Sequence, residues 1–127
     1  MNNFLVALGG ALGSSARYIV DGAVYRLLPA TFPYGTFVVN VSACGIFGML
    51  IGLSEDRLVV GSRARSFVLI GILGGYSTFS TLTFESFQLL RDDQWRLALA
   101  NGLGQLVFGL IALWAGFVLG RLLRGAA

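Results

Sequence analysis

Between Gly71 and Leu82 the sequence Gly-Ile-Leu-Gly-Gly-Tyr-Ser-Thr-Phe-Ser-Thr-Leu sets two adjacent glycines and four Ser/Thr hydroxyls inside an otherwise apolar stretch. Hydrocarbon leaves no water for a freed backbone group, so a helix interrupted at membrane depth is tolerated only where it is buried in protein or lines a wet cavity. Interrupted helices of this kind build ion sites from carbonyls and helix ends. The alternative is a close-packed helix contact made by small residues.

Other polar side chains sit in equally apolar surroundings. Asn40 lies in Gly35-Thr36-Phe37-Val38-Val39-Asn40-Val41-Ser42. Its amide either donates to an anion or ties two helices together, because an unpaired amide in hydrocarbon is costly. Asn101 and Gln105 are one turn apart, with Gly109 next on the same stripe, and read as a polar track or as a hydrogen-bond ladder. Arg17 follows Gly13-Ser14-Ser15-Ala16. A charge at that depth marks function by default, costing about 3 kcal/mol on insertion scales. It serves a vestibule, or snorkels to an interface with Asp21 one turn on as its partner. Glu85, two turns beyond Gly75, reads as a proton carrier, a cation ligand or an interface residue.

Other chemistries lack their residues. The chain contains nine Arg, no Lys and no His. Imidazole bases and the usual metal clusters are therefore excluded. Cys44 is single and sits in an apolar run, where it reads as a small buried hydrophobe. No paired carboxylates, nucleophile–base pair or chain of titratable groups appears, which argues against an enzyme and against proton-coupled transport.

The elements that carry these residues are membrane segments. Of 127 residues, 56% are hydrophobic and 12% charged, with mean hydropathy +0.79, too apolar for a soluble domain of this size. Four segments approach the length of a crossing helix. They run from about Phe4 to Leu28, closed by Pro29 and Pro33; from Thr36 to Leu53, closed by Ser54-Glu55-Asp56-Arg57; from Ser66 to Leu90, closed by Arg91-Asp92-Asp93; and from Leu97 to Leu123. The whole chain, 1–127, reads as a single integral membrane domain without a cleaved signal peptide. Arg57, Arg63, Arg65, Arg121 and Arg124 fall on one side and Arg26, Arg91 and Arg96 on the other. So weak a bias permits insertion in both orientations. Nothing in the charge pattern calls for nucleic acid. Glycines recur at helix-packing intervals in Gly9/Gly13, Gly48/Gly52, Gly71/Gly75 and Gly116/Gly120. Four short helices enclose little volume, so a conducting path calls for a second subunit.

Three motifs together resemble the Fluc/CrcB family of small fluoride channels. They are Gly9-Gly10-Ala11-Leu12-Gly13-Ser14-Ser15-Ala16-Arg17-Tyr18; Gly35-Thr36-Phe37-Val38-Val39-Asn40 followed by Gly45 and Gly48; and Gly74-Gly75-Tyr76-Ser77-Thr78-Phe79-Ser80-Thr81. Their order and spacing cover essentially the whole chain. The resemblance implies an all-α membrane protein with four transmembrane helices per subunit and the third broken mid-membrane. It implies an antiparallel, dual-topology homodimer in the cell inner (plasma) membrane, with two fluoride pores. It also implies a structural sodium ion at the dimer interface, held by the backbone carbonyls of Gly74 and Ser77. Asn40 and Phe79 match its pore residues, with Ser80 and Thr81 nearby and Asn101 and Gln105 along the fourth helix. Arg17 and Glu85 are the vestibule or structural charges. The activity implied is passive fluoride export, driven by an inside-negative potential worth about 2.3 kcal/mol per charge per 100 mV.

Two positions depart from the family pattern. Leu82 stands where a second Phe is common, keeping volume without an electropositive ring edge. Asn101, Gln105, Gly109 and Leu113 stand where a run of hydroxyls is common, so amides replace part of the track. A small multidrug-type transporter is the rival reading, but it would place a carboxylate where this chain has Arg17. A non-transporting structural subunit is the other.

Overall fold

A computed structural model of the chain describes residues 2–54 and 61–126. Glu55, Asp56 and Arg57, expected to close the second segment, lie outside the described residues. The described residues are helical almost throughout. Helix α1 is Asn2–Leu27, α2 is Tyr34–Ser54, and a short α3 is Ser62–Arg65. The chain then widens into a π-helical stretch, Ser66–Leu73, before α4 (Gly74–Tyr76) and α5 (Phe79–Arg91). Helix α6 is Trp95–Gly125. The expected segment limits agree with these helices to within a few residues.

Three runs are long and apolar enough to cross a membrane: Tyr34–Ser54, Arg63–Arg91 and Trp95–Gly125. At 26 residues, α1 reaches about 39 Å and has the same reach, but it carries Arg17, Asp21 and Arg26. These properties make the chain a membrane protein.

Glycine seams join the helices in two pairs. A Cβ added at Gly48 would collide with the Leu113 carbonyl, and one at Gly52 with that of Phe117. In the other direction, Gly116 faces the Gly45 carbonyl and Gly120 that of Met49. Helices α2 and α6 are thus in backbone contact along about two turns. Helix α1 meets the third span in the same way. An added Cβ on Gly9 would lie 2.5 Å from the Phe67 carbonyl oxygen, and one on Gly75 2.6 Å from that of Gly10. Such closeness gains dispersion contacts and is open only to residues without a side chain.

Gly74 and Gly75 have a different role from the one expected of them. Both are helical, Gly74 at φ −65° and ψ −35°, and the interruption falls later, at Ser77 and Thr78. Ser77 has ψ 159°, while Thr78 has φ −153° and ψ 117°, both extended. Gly75 supplies the close approach to α1, and the two hydroxyl residues after it turn the chain. The π-helical stretch before it has no sequence signature of its own.

Helix α5 closes on α6 through a tight turn. The N–H of Gln94 donates to the Leu89 carbonyl (2.8 Å) and that of Asp93 to the Leu90 carbonyl (3.2 Å). This is the Schellman pattern, with Asp93 in the left-handed position at φ 57°. Buried apolar side chains are few: Val39, Ala43, Leu73 and Ala98. Large ones such as Leu103, Leu106, Leu110 and Trp114 point outward along α6, as a helix in lipid or against another subunit requires.

Candidate functional site

Polar side chains bond the two helix pairs to each other, and they converge on the interruption at Ser77–Thr78. Asn40 of α2 grips the Thr78 peptide at both ends. Its Oδ1 accepts from the Thr78 N–H at 2.8 Å, and its Nδ2 donates to the Thr78 carbonyl at 3.0 Å. The side-chain amide thus stands in for a missing neighbouring strand. The second Nδ2 hydrogen goes to Gln105 Oε1 at 2.6 Å. Gln105 Nε2 donates to Asn101 Oδ1 at 2.7 Å, and Asn101 Nδ2 donates to Ser86 Oγ at 3.0 Å. Asn101 is 0% exposed and Gln105 6%, so these amides form a dry chain running back from the interruption. Both amide hydrogens of Asn40 are engaged, and an anion has to displace one of these bonds to receive one.

The interruption frees backbone groups, and nearby side chains take them up. A continuous helix would give the Thr78 N–H to the Gly74 carbonyl; here it goes to Asn40, and the Gly74 carbonyl drops out of the ladder. Arg17 Nη2 donates to the Gly75 carbonyl at 2.7 Å, with Ser14 Oγ reaching the same oxygen at 3.4 Å. Asp21 was the alternative partner for Arg17, but no ion pair joins them among the described residues. A bare carbonyl at the end of α4 draws the guanidinium because it carries the negative end of the helix dipole. Asp21 lies instead against Gly35 at the start of α2. On the other side of the interruption, Thr78 Oγ1 caps α5, accepting from the Thr81 N–H at 3.3 Å and lying 3.0 Å from Thr81 Oγ1. Ser42 Oγ and Tyr76 Oη, 3.0 Å apart, tie α2 to α4.

Phe79 and Ser80 face outward, Phe79 with 80% of its surface exposed, while Thr81 is half-buried. Leu82, half-buried, follows within the same turn. A cleft of about 320 Å³ opens beside them, its lining including Arg17, Asp21, Thr36, Thr78, Thr81 and Glu85. Thr36 Oγ1 donates to Glu85 Oε1 at 2.7 Å, while Glu85 Oε2 is enclosed without a hydrogen-bond partner among the described residues. Gly74 and Ser77 border a different, mostly apolar groove of about 290 Å³ with Cys44 and Leu73. No group of three His, Cys, Asp or Glu side chains gathers to hold a metal among the described residues. A cation bound to this chain would therefore rely on neutral oxygens.

The structure brings Asn40, Gln105, Asn101 and the Thr78 peptide into one network, with Phe79, Ser80 and Thr81 directly after it. Glu85 and Arg17 lie across the adjoining cleft. Two functional positions were not singled out from sequence. Thr78 is the peptide everything else holds, and its place before the Phe79–Arg91 helix marks it as a cap. Thr36 lies four residues before Asn40 on the same face of α2, a spacing that already aligned the two.

A break in a membrane-length helix, gripped by an amide from a neighbouring helix, is the kind of feature from which ion sites are built. The profile of the family described as "CrcB-like protein, Camphor Resistance (CrcB)" matches residues 4–117, and this chain belongs to that family. A protein of Nitrosococcus oceani called fluoride-specific ion channel is 42% identical over 93% of this chain and 94% of its own. One of the same description from Nitratidesulfovibrio vulgaris is 46% identical over 93% and 95%, and another from Maridesulfovibrio salexigens is 41% identical over 97% and 98%.

Proposed function

We propose that this chain is a fluoride-selective channel that lets the anion leave the cell passively and so relieves its toxicity. The observation that carries the reading is the near full-length likeness to relatives called fluoride-specific ion channels. The working unit is an antiparallel, dual-topology homodimer in the inner (plasma) membrane, each subunit crossing four times, with two pores. The exposed Phe79 ring and the outward-facing Ser80, whose Oγ lies 3.4 Å from Thr78 Oγ1, suit a path bounded by a second copy, because lipid offers a hydroxyl no further partner. The outward leucines of α6 suit contact with lipid.

In this reading Asn40, Phe79, Ser80 and Thr81 line the path, and Asn101 and Gln105 form its buried back. Fluoride is small and strongly hydrated, so donors must replace its water. Hydroxyls turn their hydrogens inward, an amide offers N–H, and the Phe79 ring presents its positive edge. A narrow path of this kind passes fluoride and rejects larger chloride by size. Arg17 and Glu85 shape the entrance cleft, where a guanidinium raises the local anion concentration.

The carbonyls of Gly74 and Ser77 would hold a structural sodium ion where the subunits meet. The donor set fits: the Gly74 carbonyl is out of the helical ladder, and neutral oxygens suit a hard monovalent cation. Bound there, the ion would supply a charge that both subunits share. The test is growth in millimolar fluoride of bacterial cells stripped of their own fluoride export. Cells making this chain should grow where control cells stop. Equal arrest, with the protein shown to be in the membrane, would count against the reading.

A further inference from the structure

We infer that Gln105 is a positioning residue, acting on the anion path through Asn40 and not as a ligand of the ion itself. This rests on the fluoride-channel reading for its functional side, and on the hydrogen-bond geometry alone for its structural side. Three observations carry it. Gln105 is 6% exposed and sits behind Asn40, away from the exposed face that carries Phe79 and Ser80. Its Oε1 takes the Asn40 hydrogen that Thr78 does not, and one of its two Nε2 hydrogens goes to Asn101, which is anchored to Ser86 of α5. All three bonds run the same way, each amide donating to the next. Such a chain polarises each member and stiffens the whole.

The consequence lies at Thr78. Asn40 holds that peptide only while its Oδ1 faces the Thr78 N–H and its Nδ2 faces the carbonyl. Gln105 pins the amide in that plane from behind. Without an acceptor there, Asn40 keeps a buried hydrogen unpaired and gains freedom to rotate toward another oxygen. The grip on Thr78 weakens, and the residues that follow it, Phe79 and Ser80, lose their fixed placement. Because Ser86 and Thr78 both belong to the third span, the amide chain clamps α5 from two points, one at its start and one two turns along.

The experiment compares the full-length dimer with Gln105→Met, which keeps the side chain's reach and removes both polar ends. Two readouts are followed: hydrogen exchange of the Thr78 amide by nuclear magnetic resonance, and fluoride efflux from liposomes. Loss of one buried hydrogen bond should lower Thr78 protection by about tenfold, and efflux should fall by a similar factor. In an Asn40→Ala background the same change should alter neither readout, because the route through Asn40 is already cut. Wild-type Thr78 protection in Gln105→Met overturns the inference. So does an undiminished effect in the Asn40→Ala background, which would make Gln105 a direct ligand or a packing group. If Gln105→Met yields no dimer, Gln105→Glu is measured at acidic pH, where its protonated carboxyl keeps an acceptor for Asn40 and a donor for Asn101, and it is expected to keep wild-type Thr78 protection; a loss there also overturns it. A wild-type protein silent toward fluoride would defeat the channel reading, while the Thr78 exchange would still decide the positioning role.

Discussion

Replacing Asn40 by Asp changes one NH2 group to an oxygen, keeps the shape, and puts two consequences within reach of measurement. The 2.8 Å bond from the Thr78 N–H survives, since the carboxylate still accepts. The other oxygen then faces the Thr78 carbonyl at 3.0 Å and Gln105 Oε1 at 2.6 Å, where hydrogens used to lie. Each stranded buried acceptor costs about 1–3 kcal/mol, so about 2–6 kcal/mol is at stake. Gln105 can turn its NH2 toward the carboxylate, breaking its bond to Asn101, which points to the lower half of that range. The second consequence acts on the permeating ion. A fixed negative charge about 4 Å from an anion repels it by about 4 kcal/mol at an effective dielectric constant near 20. At 1.36 kcal/mol per decade, fluoride occupancy there falls by about a thousandfold. The assay is fluoride efflux from liposomes, paired with thermal unfolding in detergent and with size-exclusion chromatography. The expected result is a dimer with a lowered Tm and efflux at the background rate. A well-folded Asn40→Asp dimer releasing fluoride at the wild-type rate would refute both the pore assignment and the electrostatics behind it.

Other substitutions probe the remaining parts. Gly48→Leu should prevent assembly of a stable subunit, because even a Cβ there meets the Leu113 backbone, whereas Gly102→Ala, with open space around it, should fold as the wild type does; chromatography of the two proteins separates these outcomes. Arg17→Leu strips the Gly75 carbonyl of its 2.7 Å partner and should lower stability by about 1–3 kcal/mol, read as a drop in Tm; an unchanged Tm would mean that the bond adds nothing. Asp93→Gly should raise stability by about 0.5–1 kcal/mol, because φ 57° is free of steric cost only for glycine, and thermal unfolding checks it. Phe79→Ala should cut fluoride efflux at least tenfold while leaving the unfolding free energy within about 0.5 kcal/mol of wild type, since an exposed ring holds nothing within its own chain. A large loss of stability in Phe79→Ala would place the ring in the subunit contact instead.

The helices were legible because hydropathy and length speak directly in a membrane chain. The limits read from Thr36–Leu53 or Leu97–Leu123 needed only one or two residues added at each end. The glycine pairs were legible for a related reason: spacing by four residues names a face, and the structure opposes Gly48/Gly52 to the face of Gly116/Gly120. The position of the interruption was not. Two adjacent glycines suggest a break, but Gly74 and Gly75 stay helical while Ser77 and Thr78 turn the chain. What decides between them is tertiary: Asn40, 38 residues away, offers the Thr78 peptide better partners than the helix does. The partner of Arg17 was hidden for the same reason, since sequence distance favoured Asp21 and the freed Gly75 carbonyl lay 58 residues on. The polar residues of the site could be named one by one, but not the order in which they bond.

The most direct measurement is ion efflux from liposomes that hold the purified protein and are loaded with potassium fluoride or potassium chloride, with valinomycin clamping the potential. Fast fluoride release with chloride retained is the expected result, and it would establish a selective pore despite Leu82. Retention of both anions by a verified dimer, or equal release of both, would contradict a fluoride-selective channel.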